Sequence, residues 1–243
     1  MKHLSYCIVF IRKIISFVIW LYNFTISLWF NFAMLPLRQA VKMPIWLDRP
    51  KFVRLERMCK TCHIIIEAET INFAMIKLGI KYNSWNPYRG ITLQLYGDIV
   101  FKGKAVIGNS STIYVANDSK LIFGENFIAA SGFIVGCQKM ISFGKDDLIG
   151  WNCSFFDTDF HHLTNHETGM IYEKKGPIFI GNNNWIGCNT SVFKGFKSND
   201  DTVISAHSIC KKRIVARKKS TIGCTDQLTV INDKVYYNPI NDK

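Results

Sequence analysis

The chain has 243 residues, 48% of them hydrophobic, with 30 Lys and Arg against 18 Asp and Glu for a formal net charge of +12. That apolar content can bury a substantial core, and a basic excess of this size selects for a polyanion, an anionic membrane surface or a phosphate-rich ligand. The basic residues do not alternate with aromatics as base stacking requires, which sets nucleic acid aside, and the cysteines lack the spacing of a disulfide framework, which places the chain in a reducing cytoplasm.

From Ile14 to Leu37 no residue is charged, and the run is rich in Phe, Trp, Ile and Leu. Ser16, Asn23, Thr25, Ser27 and Asn31 interrupt it and Pro36 ends it. Basic flanks at both ends leave orientation open, and no Ala-x-Ala site marks a cleaved leader. Three readings stand: a helix lying on the membrane face, a helix packed on the rest of the chain, and a true span. Leu37 to Arg57, with Pro36, Pro44 and Pro50 in and beside it, reads as an extended connector. Cys59-Lys-Thr-Cys62-His63 formally matches a haem attachment pattern, which would require export and an axial ligand, and a zinc site seeded by the same cysteine pair lacks its second pair. Ile64–Ile66 and Ile71–Gly79 read as short strands or a first imperfect coil, and Tyr82–Gly90 as turn chemistry.

From about Ile91 a period of six takes over. Phe101, Ile107 and Ile113 are six apart, as are Phe123, Ala129, Val135 and Ile141, then Phe143, Ile149, Phe155 and His161. The repeat stops at His161 and resumes at Ile180, with leaders at Ile186, Val192, Ser198, Ile204 and Cys210. A period of six fits neither a helix nor a simple alternating strand; it fits a solenoid whose blocks are one short strand plus a corner. Gly181, Asn182, Gly187 and Asn189 read as corner residues that tolerate positive φ.

The stretch Ile180-Gly-Asn-Asn-Asn-Trp-Ile-Gly-Cys-Asn-Thr-Ser-Val-Phe-Lys-Gly is similar to the hexapeptide-repeat signature of left-handed β-helix acyltransferases. Phe143 to His161 resembles the catalytic coil of the polysaccharide-biosynthesis O-acetyltransferases in that family, and the likeness covers roughly residues 95 to 235. It departs at Asp201, Ser205 and His207, where the family more often has small residues, and at Cys224-Thr-Asp-Gln near the end. The resemblance implies an all-β solenoid, a left-handed parallel β-helix with an N-terminal hydrophobic helical appendage. Its expected division is 1–60 appendage, 61–215 β-helix with a loop at 162–177, and 216–243 closing segment.

Transfer of an acetyl group from a thioester to a sugar hydroxyl needs a base, and imidazole changes protonation state near neutral pH. The cluster Asp157-Thr158-Asp159-Phe160-His161-His162 lies at the end of an intact coil, and either carboxylate can fix an imidazole tautomer. By resemblance His161 takes the catalytic position, with His162 as its competitor one residue away. Trp151 is a candidate platform for the acceptor sugar, and His166 is a loop residue. The resemblance places acetyl-CoA in a groove between neighbouring subunits. Carried over, Trp185 and Cys188 border that groove, Ser205 and Ala206 offer backbone to the pantetheine, and Lys211 and Lys212 meet the nucleotide end.

The reading that follows is a homotrimer that O-acetylates a cell-surface polysaccharide or its precursor, with no metal. It works in the cytoplasm at the inner face of the membrane, which residues 14–37 contact peripherally. Rival readings are N-acetylation of an amino-sugar nucleotide, a γ-carbonic-anhydrase-like zinc enzyme using His161, His166 and His207, and a non-catalytic scaffold.

Overall fold

A computed structural model describes residues 2–81, 87–164, 168, 170–211, 219–224 and 228–232. Short strands stack coil upon coil into sheets of nine, seven and five strands, the faces of a triangular prism. Successive coils pair in parallel on every face, an arrangement that fits the left-handed parallel β-helix expected from the six-residue period.

Each face stacks one inward column. On the first face Leu47, Leu78, Ile107, Ala129, Ile149, Ile186, Ile204 and Ile222 are partners in sequence down the ladder. On the second the column runs Leu93, Ile113, Val135, Phe155, Val192 and Cys210. On the third it runs Ile64, Ile99, Leu121, Ile141 and Ile178. All are buried, as one side chain in six must be if the prism is to be dry inside. At the third edge Phe101, Phe123 and Phe143 stack face to face, with ring centroids 5.1 and 5.6 Å apart. Every expected leader is buried except His161, which is exposed.

The edges need a left-handed residue per coil, and Asn and Asp supply it. Asn126, Asp146, Asn183 and Asp201 have φ between 55° and 58° along one edge, with Asn183 Nδ2 donating to Asp201 Oδ1 at 2.8 Å. Asn152, Asn189 and His207 do the same between the first and second faces, at φ 57°, 56° and 60°. Asp201 and His207, which break the family pattern, thus occupy the regular corner positions. Of the four corner residues expected, Asn189 has positive φ, whereas at the other edge the residue is Asn183, one place after Asn182. Gly181 and Gly187 are needed for a different reason: a Cβ would lie 2.4 Å from Asn199 O and 2.4 Å from Ala206 N, respectively.

The β-helix starts earlier than residue 61. Ile45–Leu47 and Pro50–Phe52 already pair with Ile76–Leu78 and Ile91–Leu93, so the stretch expected as a connector supplies the first coil. It is interrupted by a helix at Leu55–Thr61, which carries exposed Cys59 and is followed by the buried, extended cap residue Cys62. Proline is tolerated there because Pro50 begins a strand at the open end of its sheet. At the other end Ser220–Cys224 adds a parallel rung and then pairs antiparallel with Leu228–Asn232, which ends the stacking.

Helix α1, Lys2–Met34, covers the open N-terminal end. Its polar interruptions are the attachment: Asn23, Ser27 and Asn31, four residues apart, are buried against the unpaired edge of residues 45–49. Arg49 N donates to Asn23 Oδ1 at 2.9 Å, Leu47 N to Ser27 Oγ at 2.8 Å and Ile45 N to Asn31 Oδ1 at 3.1 Å. The side chains stand in for a missing neighbouring strand, which removes an edge that would otherwise template aggregation.

Candidate active site

The coil that carries Ser154–Phe156 on the second face leaves the prism at Asp157 and rejoins it at Ile178 on the third. Between them the chain doubles back. Gly176 N donates to Asp157 O and Asp159 N to Lys174 O, both at 2.9 Å, and Leu163–Thr164 pairs antiparallel with Ile171–Tyr172. His161 and His162 lie in this excursion and both are exposed. Phe160, just before them, has φ 62°, a left-handed conformation unusual for a bulky residue. It is held by a bond from its N–H to Thr158 Oγ1 at 2.9 Å and by an edge contact of its ring with Phe156 at 5.9 Å.

The carboxylates expected to orient an imidazole are committed elsewhere. Asp157 is fully buried, and its oxygens accept the backbone N–H groups of Gln138, Lys139 and Met140, each at 2.7 Å. It therefore closes the corner of the preceding coil and fixes the root of the excursion. Asp159 is paired with Lys194 Nζ at 2.5 Å, and the same ammonium donates to Glu173 O at 2.6 Å. Neither carboxylate is hydrogen-bonded to His161 or His162. The sequence pattern does not reveal Lys194, because it falls inside a repeat block and reads as an ordinary outward residue. Its role is to clamp both arms of the excursion to the following coil.

The donor candidates fall on another edge. Trp151, Cys188 and Ala206 align along the corner between the first and second faces, where Asn189 N donates to Trp151 O and His207 N to Cys188 O, both at 2.9 Å. Trp185 projects outward from the first face between Leu148 and Val203 and is 45% exposed. The backbone of Ser205 is already used: its N–H donates to Ile222 O at 2.7 Å, and its carbonyl accepts from Ser208 Oγ at 2.7 Å and Thr190 Oγ1 at 3.2 Å. It is not free to meet a pantetheine. Lys211 is exposed at the end of the second face, on the same side as His161. Lys212 and His166 lie outside the described residues. His207 Nε2 is 3.3 Å from Asn189 Nδ2 on the first-to-second edge, so it does not converge with His161 on one metal within a chain. Among the described residues no three His, Cys, Asp or Glu side chains gather as a metal site.

A cleft of about 800 Å3 opens on the remaining edge, between the third and first faces, where Lys102, Lys104, Glu125, Lys145 and Asn182 line it. None of the expected site residues among those described lines it. Within a single chain the imidazoles and the Trp151–Cys188–Ala206 edge are separate surfaces.

No family model matches the chain. A putative acetyltransferase of Staphylococcus aureus is 32% identical over 122 residues, covering 42% of this chain and 61% of the relative. The galactoside O-acetyltransferase of Escherichia coli is 32% identical over 105 residues, covering 42% of this chain and 50% of the relative. Among solved structures, the polySia-specific acetyltransferase NeuO aligns at a TM-score of 0.47 and 17% identity, covering 78% of this chain and 85% of that one. A galactoside acetyltransferase in complex with coenzyme A aligns at 0.43 and 22% identity, covering 74% and 68%. The chain spans about half to three-fifths of the length of these acetyltransferase-named relatives.

Proposed function

We propose that the protein transfers the acetyl group of acetyl-CoA to a sugar hydroxyl of a cell-surface polysaccharide or its precursor, with His161 as general base. One observation carries the reading. His161 is the single repeat leader that leaves the dry interior, and it does so on an excursion braced at both arms by Asp157, Asp159 and Lys194. The names of the sequence relatives, acetyltransferases that include one acting on a galactoside, point to the same chemistry.

In this reaction the imidazole takes the proton of the acceptor hydroxyl as its oxygen attacks the thioester carbonyl. The tetrahedral intermediate collapses, the carbon–sulfur bond breaks, and the imidazolium returns the proton to the departing coenzyme A thiolate. The imidazole needs no deep burial for this, only a fixed position. The left-handed turn at Phe160 and the clamp by Lys194 support that.

The donor edge and the imidazole occupy different edges of one prism, so a complete site needs the first-to-second edge of a neighbouring copy beside His161. We assign a homotrimer on that ground, with Trp185, Cys188 and Ala206 of the neighbour bordering the thioester and Trp151 carrying the sugar. We place the enzyme in the cytoplasm, at the inner face of the membrane through residues 14–37. The test is release of coenzyme A thiol from acetyl-CoA on adding saccharide acceptors, with mass spectrometry of the surface polysaccharide made with and without the protein. A product heavier by one acetyl group supports the reading, and an acetylated amine or no transfer overturns it.

A further inference from the structure

The membrane contact just proposed has a definite geometry. Three readings of α1 are open from sequence, and its attachment decides among them. At 100° per residue, Arg12, Lys13, Ser16, Asn23, Ser27 and Asn31 fall within an arc of roughly 100° on the helix. The last three of these bind the backbone of residues 45–49, so the arc faces the β-helix over residues 23–31, and Arg12, Lys13 and Ser16 continue it, exposed, along the free part of the helix. On the opposite side Ile11, Ile14, Val18, Leu21, Leu28 and Phe32 form one apolar face, between 37% and 56% exposed. That face continues from the free part of the helix into the attached part without a break. At ~1.5 Å per residue it is about 30 Å long.

A span is incompatible with this arrangement. Crossing with residues 14–34 requires Asn23, Ser27 and Asn31 to leave the sheet edge and enter lipid, orphaning the N–H groups of Ile45, Leu47 and Arg49. Crossing with the free part alone puts Arg12 and Lys13 near mid-bilayer. A helix lying flat meets neither penalty. Its apolar face enters the acyl boundary, its polar arc stays toward the protein, and Arg12 and Lys13 reach the headgroups beside it.

We propose that α1 is an in-plane anchor whose partner is an anionic phospholipid surface, and that the β-helix stands on the membrane with its first coil nearest the lipid. The partner is anionic because every charged residue of the helix, Lys2, Arg12 and Lys13, is basic, in a chain of net charge +12. The inference rests on the proposed membrane contact and is independent of the acetyl-transfer chemistry.

The experiment is flotation of the full chain with sealed vesicles of phosphatidylcholine alone and of phosphatidylcholine doped with phosphatidylglycerol, with an N-terminal epitope and protease added outside. Expected are flotation with the doped vesicles that weakens as salt rises, and an epitope that stays cleavable in the bound protein. Arg12→Gln with Lys13→Gln lowers partitioning about thirtyfold. Val18→Ser with Leu21→Ser and Phe32→Ser abolishes it while the circular dichroism of the β-helix is kept. A protected epitope overturns the in-plane geometry in favour of a span. Equal binding to both vesicles overturns the anionic partner. Absence of flotation with concentration-dependent self-association overturns the membrane partner and gives the apolar face to a second copy. Acetyl transfer to a soluble acceptor, assayed without vesicles, reports separately on the enzymatic reading.

Discussion

Asn31 and Ile45 exchange a reciprocal pair of hydrogen bonds: the amide nitrogen donates to Ile45 O at 2.7 Å, and Ile45 N donates to Asn31 Oδ1 at 3.1 Å. This is how one strand recognises another, performed here by a side chain of a helix. Both residues are buried, so an apolar replacement leaves an N–H and a carbonyl without water or protein partners. Asn31→Leu is expected to lower unfolding stability by about 3 kcal/mol. Thr25→Ala, which loses only bonds to carbonyls of its own helix, should change it by less than about 0.5 kcal/mol. Urea denaturation of the two variants checks the contrast.

Two glycines separate crowding from backbone strain. A Cβ on Gly187 would stand 2.4 Å from Ala206 N, a backbone atom that moves only if the next coil moves. Gly195 has φ +79° and nothing within 4 Å of a Cβ. Gly187→Ala should therefore cost about 3 kcal/mol by overpacking, and Gly195→Ala only about 1–2 kcal/mol for the left-handed conformation. Thermal melts that ranked them the other way round would show that the coils slide freely at that corner.

Much of the β-helix is legible in the residues because its rule is one-dimensional. From Phe101 to Cys210 runs of six-residue spacing recur, broken between Ile113 and Phe123, between Ile141 and Phe143 and over the excursion from His161 to Ile180, and within each run that spacing specifies which side chains stack inward. Ile45–Leu47 escapes notice because a three-residue strand followed by a helix at Leu55–Thr61 never completes a period. The role of Asp157 is illegible for another reason. Its partners at Gln138, Lys139 and Met140 are neighbours only after the coils stack, whereas the nearby histidines are visible at once. The same holds for Asn23, Ser27 and Asn31, which look like flaws in an apolar run until the sheet edge they cover is present.

Asp157 provides the next contrast. Its carboxylate satisfies three backbone N–H groups, so Asp157→Ala orphans all of them and should destabilise the fold by about 3 kcal/mol or more. Asp159 instead pairs with Lys194 across the excursion, with side chains 33% and 28% exposed. Lys194→Met is expected to leave the melting temperature nearly unchanged but to raise KM for the acceptor and lower kcat together, because it releases both arms of the loop. Melting curves and steady-state kinetics on the same preparations distinguish the two roles.

The buried cysteines predict an alkaline limit. Burial is the leading cause that pushes the thiols of Cys62, Cys137 and Cys153 up to about 12 from 9.0, with Asp98 and Cys59 reinforcing it at Cys62, Asp157 at Cys137 and Cys188 at Cys153. In the unfolded chain these thiols ionise near 9, whereas in the folded chain they stay neutral. Their contribution is thus fully present below pH 9 and is lost as pH rises from 9 toward 12. At pH 10 each should subtract about 1.4 kcal/mol. Denaturant titrations at pH 8 and pH 10 check the loss, and Cys153→Val should remove about one third of it.

His161 and His162 are adjacent, both exposed, and neither is bonded to Asp157 or Asp159. Phe160 turns the chain left-handed immediately before His161, and its ring rests on Phe156, which fixes the residue that follows more tightly than the one after it. His161→Ala is accordingly expected to lower kcat by about 10² to 10⁴ with an unchanged melting temperature, the range lost when a positioned base is removed. His162→Ala should shift KM for the acceptor and leave kcat within about tenfold. Free imidazole should restore part of the rate to His161→Ala alone. If the two variants lose kcat equally, or if imidazole rescues His162→Ala instead, the base is His162 and the turn at Phe160 aims the chain one residue further on.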